Sequence, residues 1–505
     1  MLSSSQRSAN ASRSLQPQQD DVYVAAQYNA LLQLQPLGHA KANQTQDGYG
    51  RDVMDTELLD KVTNRSNDLR WNKGVVTWAD ESPTDSKSGL IYSERRFDEV
   101  VSPTAMLSDA RIPDKDKRRI NDWTVWLNDF KRFRQQILPD AVDPENQQRI
   151  RVTVIDTGID GSHPYMQLKG WRSQDENAIT DDQDDPVHLF CDFVEPDSAR
   201  KHEPIDEDGH GTFIAGILLQ AAPDIELSIA RIGATRESIK NDIQIGKKIG
   251  DAITHAIEEW KTEIISISFG NEDMSWEIRD AIEKAIKQNV IVLAAAGNSG
   301  NRKGIPYPAV EDDVFKIFAS KSNGYAAGFS PPPSHAPDYS YFIYGDGVVS
   351  TWPSSLLEQA KSNGLEVFPY NYEGVEEHSK NASGTWTLLS GTSFATPLAA
   401  ALVAIIYQFH DVNKSSKSPI RLRHENKSNF KSRKAVRAIF TQMSRTSDKA
   451  PYNVLEPARG KDDNFLFRPH KFTGPHKASP LNIWDQTPIQ FFSKRLTDIL
   501  YIANV

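Results

Sequence analysis

The chain has 505 residues, 38% hydrophobic and 25% charged, with a formal net charge of −10 at pH 7. Its length exceeds one ordinary core and points to two or three domains, while the acidic balance argues against nucleic acid as a main partner. A single cysteine, Cys191, excludes an intramolecular disulfide and favours a reducing compartment.

The first stretch, MLSSSQRSANASRSLQPQQ, has no apolar segment of the kind a secretory signal needs, so residues 1–20 read as disordered and the chain as intracellular and cytoplasmic. No run of about 18 apolar residues free of polar interruption occurs, so no membrane partner is expected. Residues 21–149 are mostly helical in pattern, notably YVAAQYNALLQL (23–34) and WTVWLNDFKRFRQQIL (123–138). They carry no repeat or motif and suit a small helical domain or an arm for a regulatory partner. Past residue 149 the pattern changes. Runs that are apolar throughout, RVTVI (151–155), ELSIARI (226–232), IISISF (264–269) and VIVLAAA (290–296), alternate with the helical stretches 249–261 and 275–288. This alternation implies a parallel sheet covered on both faces. The fold class is therefore α/β, a mainly parallel doubly wound sheet over residues 150–455, with a mostly helical N-terminal region and a short C-terminal extension. LLSGTSFATPLAAALVAIIY (388–407) opens a helix so apolar that it must be buried on all sides. Residues 414–437 hold nine Lys and Arg against one acid, Glu425, and read as a solvated loop with part of a basic helix. The extension, 456–505, carries the aromatic patches FLF (465–467) and IQFF (489–492).

Four strand ends or loops of the α/β region have polar residues in unusual settings. VIDTGIDGSHP (154–164) puts Asp156 at the end of a buried strand, where a carboxylate needs a partner. DEDGHGTFIAGI (206–217) sets His210 between glycines, which should leave the imidazole approachable as base and then acid. LAAAGNSG (293–300) places Asn298 where its amide could donate to a developing negative charge. SGTSFATP (390–397) puts Ser393 at a helix start, with Pro397 early enough for its missing N–H to matter little. Each has a plainer reading: a loop aspartate, a structural histidine, a turn asparagine, a helix-capping serine. Together they supply every role in acyl transfer, and such groups gather at the carboxyl ends of strands in open α/β sheets.

The segments DTGID, GHGT, AAAGN and SGTSFATP, in that order, resemble the subtilisin-like serine peptidases, or subtilases, and so do SISFG (266–270) and YP (307–308). The resemblance spans roughly residues 150–410. It implies a serine endopeptidase acting on polypeptides, with Ser393 as nucleophile, His210 as general base, Asp156 orienting the imidazole, and Asn298 in the oxyanion hole. It further implies that Ser268, Phe269 and Gly270 pair with an extended substrate, and that Ala295, Ala296 and Gly297 help wall the pocket before the scissile bond. The chemistry needs no cofactor. A domain that has kept the fold but serves as a catalytically inactive binding or signalling module is the alternative.

Three departures stand out: Phe213 where many relatives have a second histidine, Gly345-Asp346-Gly347 in place of Ala-Pro-Gly, and Phe394 where Met is common. Residues 1–149 do not resemble the usual inhibitory propeptide, which makes them the candidate restraint. Relatives often bind structural calcium, and residues 175–208 hold thirteen acids, including DDQDD (181–185), against two basic residues. That stretch is a calcium candidate, although no loop has EF-hand spacing. Cys191, in LFCDF, reads as a buried small apolar residue.

Overall fold

The computed structural model describes residues 113–138, 149–171, 188–271, 273–332, 339–365, 367–370, 384–414, 431–447, 450–456 and Leu496. Residues 1–20, the helix expected over 23–34, DDQDD, residues 415–430 of the basic run, and the FLF and IQFF patches lie outside them.

In chain order the strands are β1 (Arg151–Asp156), β2 (Leu189–Asp192), β3 (Glu226–Arg231), β4 (Ile264–Ile267), β5 (Ile291–Ala295), β6 (Phe315–Ser320), β7 (Ser340–Tyr344), β8 (Asp346–Trp352), β9 (Val367–Tyr370), β10 (Gly384–Ser390), β11 (Ser444–Ser447) and β12 (Ala450–Leu455). The helices are α1 (Asp114–Ile137), α2 (Pro164–Leu168), α3 (His210–Ala221), α4 (Arg236–Asn241), α5 (Ile245–Glu258), α6 (Trp276–Lys287), α7 (Leu357–Ser362), α8 (Thr392–Lys414) and α9 (Arg433–Met443). Among the described residues, nine strands form one sheet in the order β11-β12-β7-β6-β5-β4-β1-β3-β2. All neighbours are parallel except the edge pair β11 and β12. A second, antiparallel sheet runs β8-β10-β9.

The central strands are apolar throughout because their two faces enter different cores. Val152 and Val154 of β1 and Ile291 and Leu293 of β5 pack with α1, α3, α8 and α9. Ile155, Val292 and Ala294, on the opposite face, pack with α5 and α6. This is the doubly wound sheet expected from the sequence, and it sets the ends of β1, β4 and β5 side by side.

α8 is long and apolar enough to cross a membrane by length and composition, yet its apolar stretch is wholly buried inside the protein. It is a core helix, as its all-round apolar pattern requires. α1 begins nine residues before the predicted 123–138 stretch. Ile120, Trp123, Leu127, Phe130, Phe133 and Ile137, spaced three or four apart, bury one face in the same core as α3 and α8. Trp126 stacks on Tyr344 of β7 with ring centroids 5.5 Å apart. The described part of the N-terminal region is thus continuous with the sheet's core.

Phe130 is 1% exposed. Phe130→Ala should lower unfolding free energy by about 3–5 kcal/mol through lost burial and a residual cavity. Chemical denaturation of the full chain measures it, and a loss below about 1 kcal/mol, the scale of a surface change, would mean that α1 only rests on the domain.

Candidate active site

Asp156 is the last residue of β1, at the carboxyl end of a central strand, and is 1% exposed. Its Oδ1 accepts the Thr157 N–H at 2.8 Å and a hydrogen bond from His210 Nδ1 at 2.7 Å. A carboxylate can only accept, so Nδ1 is the donor and carries a proton.

His210 opens α3 and is itself 4% exposed, so the flanking glycines do not open the imidazole to solvent as the sequence suggests. They serve close packing. Gly209 has φ 90°, and a Cβ there would lie 2.7 Å from the Trp352 ring; a Cβ on Gly211 would lie 2.1 Å from the Gly158 carbonyl oxygen.

Behind this pair sits Asp206, a buried carboxylate that the sequence reading passes over. It accepts the N–H groups of Asp208 (3.1 Å), Gly209 (2.8 Å) and Thr212 (2.8 Å), and the Thr157 and Thr212 hydroxyls at 3.0 and 2.6 Å. Burial pushes its carboxyl up, against these hydrogen bonds. The Thr157 hydroxyl also accepts the Gly211 N–H at 2.9 Å, which ties the Asp156 loop to the start of α3. An aspartate just ahead of a helix start was the available signal.

Ser393 is the second residue of α8, so its N–H has no partner inside the helix. Its hydroxyl donates to the Ser268 carbonyl at 2.7 Å, and the Ser268 hydroxyl donates back to the Ser393 carbonyl at 2.9 Å. Pro397 explains the second bond. It lies at the sixth helical position, later than the harmless first turn the sequence suggests, and lacks the N–H that would meet the carbonyl four residues back. That carbonyl belongs to Ser393, and Ser268 satisfies it.

Asn298 follows β5. Its Oδ1 accepts the Thr392 N–H at 2.8 Å and the Thr392 hydroxyl at 3.1 Å. A backbone N–H can only donate, so the amide orientation is fixed and Nδ2 faces away from Thr392. The Thr392 hydroxyl in turn accepts the Gly297 N–H at 3.1 Å.

Two cavities meet at Ser393. One, of about 550 Å³, is lined by Ser268, Phe269, Gly270, Ala295, Gly297, Asn298 and Pro306, with Lys303 as its charged residue. The other, of about 320 Å³, is lined by Asp156, His210, Phe269, Asn298, Leu389, Ser390 and Phe394 among others. Ala296 is a correction to the expected pocket wall. The alternation that turns Ala295 and Gly297 to the cavity turns Ala296 into a core with Phe318, Phe342 and Val454.

The Subtilase family profile matches residues 147–440, more than half of the sequence. The chain belongs to the subtilase family. It is 26% identical to the subtilisin-like protease het-Q2 of Podospora anserina, over 54% of this chain and 72% of that protein. It is 27% identical to an intracellular serine protease of Paenibacillus polymyxa, over 56% and 74%. Among solved structures, the prenylagaramide maturation protease PagA overlays with a TM-score of 0.42 at 19% identity, over 64% of this chain and 90% of that one.

Two of this subtilase's departures touch each other. The Phe213 and Phe394 rings lie 4.7 Å apart, and Phe394 lies 5.5 Å from the His210 ring. Cys191 is buried in β2, and burial pushes its thiol up. Among the described residues no group of three or more His, Cys, Asp or Glu is placed to hold a metal ion.

The Asp156 loop ends at His163, which is 1% exposed and caps α2 by accepting the Tyr165 N–H at Nδ1 (3.1 Å). Its Nε2–H donates to the Thr385 carbonyl of β10, the strand that leads to Ser393, at 3.1 Å. Burial holds the imidazole below its usual range, against the Thr385 bond and the nearby Asp160 charge. The unfolded imidazole therefore takes up a proton, below about pH 6.5, that the folded one resists. Stability should be full above that pH and fall as pH drops through it. In thermal melts across this range His163→Gln should show a shallower decline than wild type, and parallel declines would remove His163 as a source.

Proposed function

We propose that this subtilase is a serine endopeptidase that hydrolyses polypeptides through an acyl-enzyme. The observation that carries the reading is the buried 2.7 Å bond from His210 Nδ1 to Asp156, in a cavity shared with Ser393. His210 Nε2 is left free to accept a proton. On substrate binding the Ser393 hydroxyl turns from Ser268 to the imidazole, and Oγ attacks the scissile carbonyl as the proton passes to Nε2. Asp156 stabilises the imidazolium, which then protonates the leaving amine. Water enters by the same route, giving its proton to His210 as the acyl group is released.

The oxyanion takes hydrogen bonds from Asn298 Nδ2 and the Ser393 N–H at the positive end of α8. Ser268, Phe269 and Gly270 follow the last paired residue of β4, Ile267, so an extended substrate can continue the ladder there. Ala295 and Gly297 wall the larger cavity, which receives the side chain before the scissile bond.

A fluorophosphonate probe should label Ser393 in folded full-length protein, and Ser393→Ala should abolish labelling. A label at another residue, or one that survives the change, overturns the nucleophile. Asn298→Leu should spare KM and lower kcat by about 10²–10³, the loss known for removing such a donor from a subtilisin. A destabilised variant with full turnover per folded molecule would make Asn298 a turn residue.

A further inference from the structure

The segment leading into Ser393 is braced from behind by a helix the chemistry does not use. β10 pairs regularly with β8 as far as Leu389, and the register shifts between Leu389 and Ser390. A shift of this kind releases a residue from the ladder and re-aims the chain. Side-chain bonds then hold Ser390. Its hydroxyl donates to Asp346 Oδ1 at 2.9 Å and accepts the Gly347 N–H at 2.8 Å. It also accepts a hydrogen bond from Arg119 Nη2 of α1. The same nitrogen reaches Asp346 Oδ1 at 3.1 Å, and Nη1 reaches Asp116 Oδ1 at 3.3 Å. One residue further on, the Gly391 N–H donates to the Gly345 carbonyl at 2.9 Å. The Gly345-Asp346-Gly347 departure is therefore the seat of an arginine 271 positions away from Ser390.

We propose that Arg119 is a positioning residue for the nucleophile, acting through Asp346 and Ser390 to fix the turn at residues 390–393. The proposal rests on Ser393 being the nucleophile. Ser390 lies three residues from it and lines the cavity that holds His210. The guanidinium is suited to the task because its planar fork fixes direction as well as charge, which a lysine ammonium does not. The Arg119 and Asp346 side chains are 36% and 27% exposed, so this is a local brace rather than a pillar of stability. A displacement of about 1 Å at a reacting atom can slow a reaction about 10²-fold, far more than such a pair contributes to folding.

The test measures the fluorophosphonate labelling rate and kcat of the full chain, beside its melting temperature. Arg119→Ala should lower both rates about tenfold or more, with KM and melting temperature little changed. Arg119→Lys should recover part of the loss. Asp346→Asn should reproduce it, and the double variant Arg119→Ala/Asp346→Asn should be no slower than either single one, since both break one linkage. Should Arg119→Ala fold poorly, the Lys and Asn variants carry the same comparison. Unchanged rates in folded variants, or losses that multiply in the double variant, overturn the proposal. A wild-type chain that takes no label at Ser393 would instead remove the nucleophile assignment, and this proposal with it.

Discussion

A carboxylate with almost no exposed surface needs hydrogen-bond donors, and the end of β1 is built around those that reach Asp156 Oδ1. Asp156 takes its donors from the next backbone N–H and from His210. The histidine must then start a helix at one place and angle, which Asp206 fixes by drawing in three backbone N–H groups and two threonine hydroxyls. A half-satisfied polar cluster in a low-dielectric site costs more than an apolar one. The two carboxylates therefore hold one loop geometry far more sharply than apolar packing would.

The Ser393 side follows from a different requirement. α8 is too apolar to lie anywhere but inside, so its first turn has to emerge at the edge of the core, beside the ends of β4 and β5. Asn298 and Ser268 fasten it there through backbone groups of Thr392 and Ser393. Pro397 contributes by removing a donor, since the carbonyl it leaves open is taken by Ser268. A helix-breaking residue thus strengthens the join between helix and sheet.

Much of this was legible in the sequence because it depends on short-range pattern. Strands apolar on both faces, the alternation with amphipathic helices, and an acid, an imidazole, an amide and a hydroxyl at strand ends or loops are local features. What stayed hidden depends on partners far apart in the chain. Nothing near Asp206 announces Thr157, 49 positions away, and nothing near Ser390 announces Arg119. The resemblance implies a wall of all three residues 295–297, whereas Ala296 is turned into the core with Phe318 and Phe342. Between β5 and α8 the apolar runs are short and set among polar residues and turns, and β6, β7, β8, β9 and β10 lie there. His210 is less exposed than its small neighbours suggest. Small neighbours leave room, and here Trp352 and the Gly158 carbonyl occupy it.

The departures from the family pattern make the same point in space. In the sequence Phe213, Phe394 and Gly345-Asp346-Gly347 are three separate oddities. In the fold the two phenylalanines form one aromatic contact beside His210, and the glycine-flanked aspartate forms one ionic contact with Arg119. A larger apolar ring at one position can be accommodated when its neighbour is rebuilt to match, because cores respond to total volume and shape rather than to each residue alone. An aspartate in a turn is likewise stable when a guanidinium from another element meets it. The altered residues therefore belong to two rebuilt contacts, one packing against His210 and one bracing the approach to Ser393. Both leave Asp156, His210, Asn298 and Ser393 in place.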